Sequence, residues 1–259
     1  MTSLMERVFS DGDAEDAGDA ERRLRVDLAA AYRLVAHFGW DDLVFTHLSA
    51  RIPGPDHHFL INRYGLMFEE ITASSLVRVD MDGRVVDGSG ALVNPAGFTI
   101  HSAVHMARPD AMCVIHLHTV AGTAVSCLTE GLLPINQTAM LLNGRIAYHD
   151  FEGIALDHDE RPRLIADLGD KAAFILRNHG TLTVGGSVAQ AFTTMYLLER
   201  ACAIQVAAQG SGTIATPAHI VQDVVAQQAS AAGGGAFIDK VVWPALLRLL
   251  DRHNPGYAD

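Results

Sequence analysis

Apolar and polar positions along this chain repeat with two different periods. Over residues 24–38 the apolar side chains recur at helical spacing (Leu24, Leu28, Tyr32, Val35), which predicts a helix closed by Gly39. The pattern then shortens to strand-length runs at 43–51, 59–63 and 77–81, separated by the turn Pro53-Gly54-Pro55-Asp56 and a Thr/Ser-rich stretch. Asp82-Gly83 predicts a hairpin into Val85-Val86. Helical spacing returns over 96–106, and a buried strand over 112–119 follows Arg108-Pro109-Asp110. Short helices at 121–128 and 137–142, a strand at 146–148, a helix at 159–168 and a strand at 173–176 come next. A long Ala-rich helix at 188–208 and an amphipathic helix at 237–252, with Pro244 near its start, complete the pattern. Strands first, with helices between the later ones, predict an α/β protein whose mixed sheet is covered by helices.

Composition narrows the organisation. The length of 259 residues suits one domain with a sizeable core. Residues 11–21 are acidic and short of large apolar side chains, so residues 1–22 are expected to form a flexible acidic leader. Residues 23–259 are expected to form a single domain, with 210–259 as a helical C-terminal extension punctuated by Gly210-Ser211-Gly212 and Gly233-Gly234-Gly235. The net charge of −11 argues against nucleic acid and anionic membranes as partners. No apolar run reaches the roughly 18 residues that span a bilayer. Cys113, Cys127 and Cys202 are an odd set at no zinc-finger spacing and read as reduced thiols. With no secretory signal pattern at the start, the expected location is the cytoplasm.

The candidate chemistry centres on Val114-Ile115-His116-Leu117-His118-Thr119. Residues i and i+2 of a strand point to one face, so the two imidazoles leave the sheet side by side as a ready chelate for a divalent metal. A third ligand is normally needed, and His179, in Leu176-Arg177-Asn178-His179-Gly180, is the best candidate. Such a metal acts as a Lewis acid on a carbonyl or carboxylate. That removes the need for a Schiff-base lysine, and the chain has only Lys171 and Lys240.

The stretch from His116 through Ser126, followed by Leu176-Arg177-Asn178-His179-Gly180, resembles the class II aldolase/adducin family. So do Phe45-Thr46-His47-Leu48-Ser49-Ala50-Arg51, Pro95-Ala96-Gly97-Phe98-Thr99-Ile100-His101, Arg108-Pro109-Asp110 and the run from Ile146 to Gly153. The resemblance covers residues 24–209. It implies a three-layer α/β/α sandwich around a mixed, largely antiparallel sheet, and a homotetramer. It also implies a divalent metal on His116, His118 and His179, zinc foremost, with Fe2+ and Mn2+ as alternatives.

The departures from that family are as informative. Its sugar-phosphate aldolases carry Ser-Ser-Glu, with the acid/base glutamate four residues ahead of a helix histidine. Counted back from His101, that glutamate is Gly97 and the serines are Pro95 and Ala96. The Gly-Asn of the first strand is Thr46-His47. A phosphorylated sugar and the standard aldolase acid/base are therefore not expected. His47 and His101 are the candidates for proton transfer, with a hydrogen-bonded sheet histidine as the alternative role for His47. His101 and His105 stand i, i+4 on one helix face, and His105 reads as structural. Arg63, with Asn62 beside it, could recognise a substrate carboxylate; the alternative is a surface arginine. Tyr148-His149-Asp150 fits either a site or an interface, whereas His57-His58 and Glu69-Glu70 read as exposed.

The expected function is a metal-dependent lyase. It would act on a small, unphosphorylated carbonyl or carboxylate compound by aldol cleavage or decarboxylation through a metal-stabilised enolate. Two rival readings follow from the same resemblance: an adducin-like binding or scaffold protein, and a non-haem iron decarboxylating oxygenase. Against the scaffold, no basic tail of the adducin kind follows residue 253.

Overall fold

The computed structural model describes residues 17–153, 158–215, 217, 219–231 and 234–259. In chain order the elements are α1 (Ala17–His37), β1 (His47–Arg51), β2 (Phe59–Ile61), β3 (Val77–Val79), α2 (Pro95–Ala107), β4 (Cys113–Leu117), α3 (Val120–Ser126) and α4 (Gln137–Met140). Then follow β5 (Ile146–His149), α5 (Arg161–Leu168), β6 (Ala173–Leu176), β7 (Gly180–Gly185), α6 (Val188–Gln209), α7 (His219–Ala231), α8 (Gly234–Phe237) and α9 (Trp243–His253). The strands form one sheet in the order β3-β2-β1-β4-β7-β6-β5. Only β5 and β6 pair in parallel; the other five pairings are antiparallel.

The alternation of β4 decides the layers. Cys113, Ile115 and Leu117 pack with Leu48, Ala50 and Leu60 against Leu28, Leu34, Phe192, Met195 and Leu250, which belong to α1, α6 and α9. Val114 points the other way and joins Leu182, Val184, Phe174 and Leu176 under Ile100, Val104, Leu164 and Leu168 of α2 and α5. The sheet is thus buried on both faces, which explains why its central strands are apolar without a polar side. His116 shares the α2 face with Val114.

Four details depart from the sequence expectation. Helix α1 starts at Ala17, so residues 17–22 of the expected leader are helical; residues 1–16 lie outside the described residues. Glu21 explains the early start, because it accepts from Arg25 at 2.9 Å and from Arg78 at 2.5 Å, and Arg25 reaches on to the Leu76 carbonyl at 2.9 Å. Strand β7 was not anticipated, since the chain after the 173–176 strand read as a turn at Gly180, yet it pairs with β4 along its length. Helix α7 also lacked a clear apolar period. The expected helix at 237–252 is present but locally widened: residues 234–253 are helical throughout, with a π turn over Ile238–Val242 between α8 and α9 and Pro244 just after it. Proline lacks the N–H that would carry the hydrogen-bond ladder on, and the π turn directly before it marks that interruption.

Among the described residues, no helix is long and apolar enough to cross a membrane.

Candidate metal centre

Three strand ends meet at one point. His116 lies near the end of β4 and His118 one residue past it, both on the α2 face. The β6–β7 turn brings in His179 from the other side. Asn178 takes the left-handed conformation at φ 55°, which turns the chain sharply enough to aim the next residue inward. Gly180 then allows β7 to close on β4: a Cβ there would stand 2.5 Å from the Leu117 carbonyl oxygen and 3.0 Å from Cδ2 of His118. One ring nitrogen from each of His116, His118 and His179 lies within 4.8 Å of the others.

The hydrogen bonds set what these nitrogens present. Nδ1 of His116 lies 2.9 Å from the Thr181 carbonyl, which only accepts, so Nδ1 carries the proton. Nδ1 of His118 lies 3.1 Å from a carboxylate oxygen of Asp42 and donates likewise. Burial holds His116 well below the usual imidazole range, so its ring is neutral and its Nε2 is a bare lone pair. The Nε2 atoms of His116 and His118 face one another at 3.0 Å. At that distance the two nitrogens share a cation, either a proton or a metal ion. The donor set therefore fits a divalent metal, and the outer partners, Thr181 and Asp42, are of the kind that orient metal-bound imidazoles. Burial also lowers His179, to about 4, with His118 adding to the effect.

His47 and His101 stand next to this cluster. His47 pairs directly with His116 across β1 and β4, so their side chains share a face. Its ring lies 4.2 Å from that of His101 and 6.1 Å from that of His116, centre to centre. Burial pushes His47 down to about 4, partly opposed by the backbone of Gly97 and Thr46. Neither of its ring nitrogens completes a well-formed hydrogen bond among the described residues. The ring occupies the space above Gly97: a Cβ built on residue 97 would fall inside the imidazole. Thr46, just before it, sits at φ 63°, costly for a β-branched residue and free for the glycine of the resembled aldolases.

Other candidates fall elsewhere. Asn62 is buried, and its side chain is engaged by the Tyr32 hydroxyl at 2.8 Å and the Arg63 carbonyl at 3.4 Å, so it holds α1 to the sheet rather than facing the histidines. Arg63 is exposed. Continuing the β1–β2 register past Ser49↔Ile61 puts its Cα at the end of the sheet where His47 lies. His105 is fully buried, between the Ala111 carbonyl and Ser49 and stacked on Phe59. His149 is buried and bound by Asp167 at 2.7 Å and Glu160 at 3.2 Å. It lines a crevice beside His179 together with Ile100, Phe151 and Arg177. A cavity of about 1180 Å³ between α6 and the C-terminal helices contains none of these histidines, so the chemistry and the large void are separate. Asp42 was missed by sequence reading, because an acidic pair on a loop carries no signal until the fold brings it to His118.

A seven-stranded mixed sheet between helices, with three imidazoles converging at the strand ends, defines a protein of the class II aldolase type. The family description "Class II Aldolase and Adducin N-terminal domain" matches residues 26–206, and the chain belongs to that family. A crystal structure of an aldolase II superfamily protein from Pseudomonas syringae superposes with a TM-score of 0.89 at 53% identity, covering 93% of this chain and 96% of that one. L-fuculose 1-phosphate aldolase from Glaciozyma antarctica PI12 superposes with a TM-score of 0.85 at 29% identity, covering 97% and 99%. Alpha-adducin of Rattus norvegicus is 49% identical over 209 residues, which are 80% of this chain and 28% of the adducin.

Proposed function

We propose that this protein is a metal-dependent carbon–carbon lyase acting on a small, unphosphorylated carbonyl or carboxylate compound. The observation that carries the proposal is the convergence of one ring nitrogen each from His116, His118 and His179 within 4.8 Å, with the Nε2 atoms of His116 and His118 only 3.0 Å apart. A divalent metal held there supplies a Lewis acid for negative charge developing on a substrate oxygen. Zinc is the first choice, with Fe2+ and Mn2+ as alternatives, since imidazole suits all three.

The residues of the chain do the rest. Asp42 and Thr181 orient the ligand rings. His47 and His101, both buried and kept neutral by burial, handle the proton that aldol cleavage or decarboxylation must move. Arg63 is the candidate for gripping a carboxylate. The replacement of the family glutamate by Gly97 and of the two serines by Pro95 and Ala96 argues for a substrate other than a sugar phosphate. We place the enzyme in the cytoplasm as a homotetramer, in keeping with the resembled aldolases.

A second reading is favoured by the likeness to alpha-adducin: the domain binds a partner and catalyses nothing. The two are separated by incubating the metal-loaded protein with panels of small hydroxy-ketones and 2-oxo acids, and following aldehyde and carbon dioxide release. Metal-dependent product release supports the lyase. Oxygen uptake coupled to carbon dioxide release supports the iron oxygenase instead. Silence across both panels, with metal bound, favours the binding role.

A further inference from the structure

Behind His101 runs a chain of hydrogen bonds with a definite direction. It starts at the Ala111 carbonyl, 2.9 Å from Nδ1 of His105. It passes from Nε2 of His105 to the Ser49 hydroxyl at 2.7 Å, and from that hydroxyl to Nδ1 of His101 at 2.6 Å. It stops there: Nε2 of His101 is buried and meets no hydrogen-bond partner among the described residues.

Each donor can be assigned in turn. A carbonyl only accepts, so His105 carries its proton on Nδ1. The ring cannot be turned over, because a flip would put carbon against both partners. Burial pushes His105 down to about 3, so the ring is neutral and its Nε2 accepts. The Ser49 hydroxyl therefore donates its single proton to His105. It is left as an acceptor, and Nδ1 of His101 must donate to it. Burial keeps His101 neutral as well. One proton on Nδ1 leaves none for Nε2.

We infer that Ser49 and His105 are positioning residues that fix the tautomer of His101, leaving its Nε2 as a bare proton acceptor beside His47 and the three-histidine cluster. Ser49 suits this because it lies two residues from His47 on β1, on the same face, directly under α2. His101 and His105 are one helical turn apart on α2, so one hydroxyl bridges both rings. A proton acceptor at this place serves aldol cleavage, which begins by taking a proton from a β-hydroxyl; the bond-breaking step of decarboxylation needs none. The catalytic use of the acceptor rests on the metal-site reading proposed above, but the tautomer itself does not.

The test is a long-range proton–nitrogen correlation spectrum of the whole protein, labelled with 15N-histidine, with and without zinc. The His101 signals are identified by their loss in His101→Asn. The expected result is a protonated Nδ1 and an imine-type Nε2 in His101, retained in Ser49→Thr and lost to a mixture of tautomers in Ser49→Ala. A protonated Nε2 in the wild type overturns the inference, and so does a tautomer unchanged in a folded Ser49→Ala. If Ser49→Ala does not fold, the wild-type spectrum alone decides. Failure of the metal reading is visible separately, as zinc leaving the His116, His118 and His179 signals unmoved while the His101 pattern stands.

Discussion

The imidazole of His47 fills the volume that any side chain at Gly97 would need. The two positions lie on different elements, β1 and α2, and neither makes sense without the other. Gly97 is not simply a lost side chain; it is the space that lets His47 stand between His101 and His116. The prediction is non-additivity. Gly97→Ala alone should destabilise the protein by roughly 1–3 kcal/mol, the usual cost of overpacking a filled core. In a His47→Gly background the same change should cost little, a coupling on the order of 0.5–3 kcal/mol. Urea denaturation of the two single variants and the double variant measures it, and additive effects would show that the rings and helix have room to spare.

Asp42 should matter more than its exposure suggests. It holds Nδ1 of His118 at 3.1 Å and so keeps Nε2 free for a metal. Asp42→Ala is expected to weaken metal affinity by about 10–100-fold while leaving the fold intact. Competition against a chromogenic chelator reads the affinity, and circular dichroism checks the fold. Unchanged affinity would mean that Asp42 is only a neighbour.

Gly180 is a close-approach glycine. A Cβ there would meet backbone, the Leu117 carbonyl at 2.5 Å, and backbone cannot swing aside as a side chain can. Gly180→Ala should lower stability by roughly 1–3 kcal/mol and displace His179 from the cluster, weakening metal binding along with it. Thermal unfolding and the chelator assay together test this. Loss of metal binding without loss of stability would show a different cause.

The metal-free protein should be acid-sensitive. Burial lowers His47 and His179 to about 4 and His105 to about 3. An unfolded histidine titrates near about 6.5, so below that pH the unfolded chain binds more protons than the folded one. Stability is thus fully present above about pH 6.5 and should fall steadily towards pH 4. His105→Gln, which lies away from the ligands, should make the slope shallower between about pH 6.5 and 5. Urea midpoints at half-unit pH steps supply the curve, and a flat profile would contradict the burial of neutral rings.

Much of this was legible in the sequence because it depends on short-range pattern. The HxH run on a strand and the paired histidines on α2 follow from periods of 2 and 3.6, while His179, weak as a lone turn histidine, came with the family resemblance. What was not legible depends on elements that meet only in three dimensions. Gly180 hid the start of β7 because glycine looks like a turn residue until a neighbouring backbone needs the room. Asp42 gives no sequence sign of His118, which lies across the sheet. Asn62 looked like a substrate contact because Asn62-Arg63-Tyr64-Gly65 sits where the resembled aldolases place a phosphate-binding turn; that its side chain meets Tyr32 on α1 shows only in the fold. The link between His47 and Gly97 was visible only as two separate departures from the family pattern.

The central claim is that three histidines hold one metal ion. Metal content of the purified protein, measured by plasma mass spectrometry beside a His116→Ala, His118→Ala variant, tests it most directly. The account predicts close to one zinc or iron per chain in the wild type, absent from a folded variant. A wild-type protein that takes up no divalent metal, even after reconstitution with zinc, iron(II) and manganese(II), would contradict it.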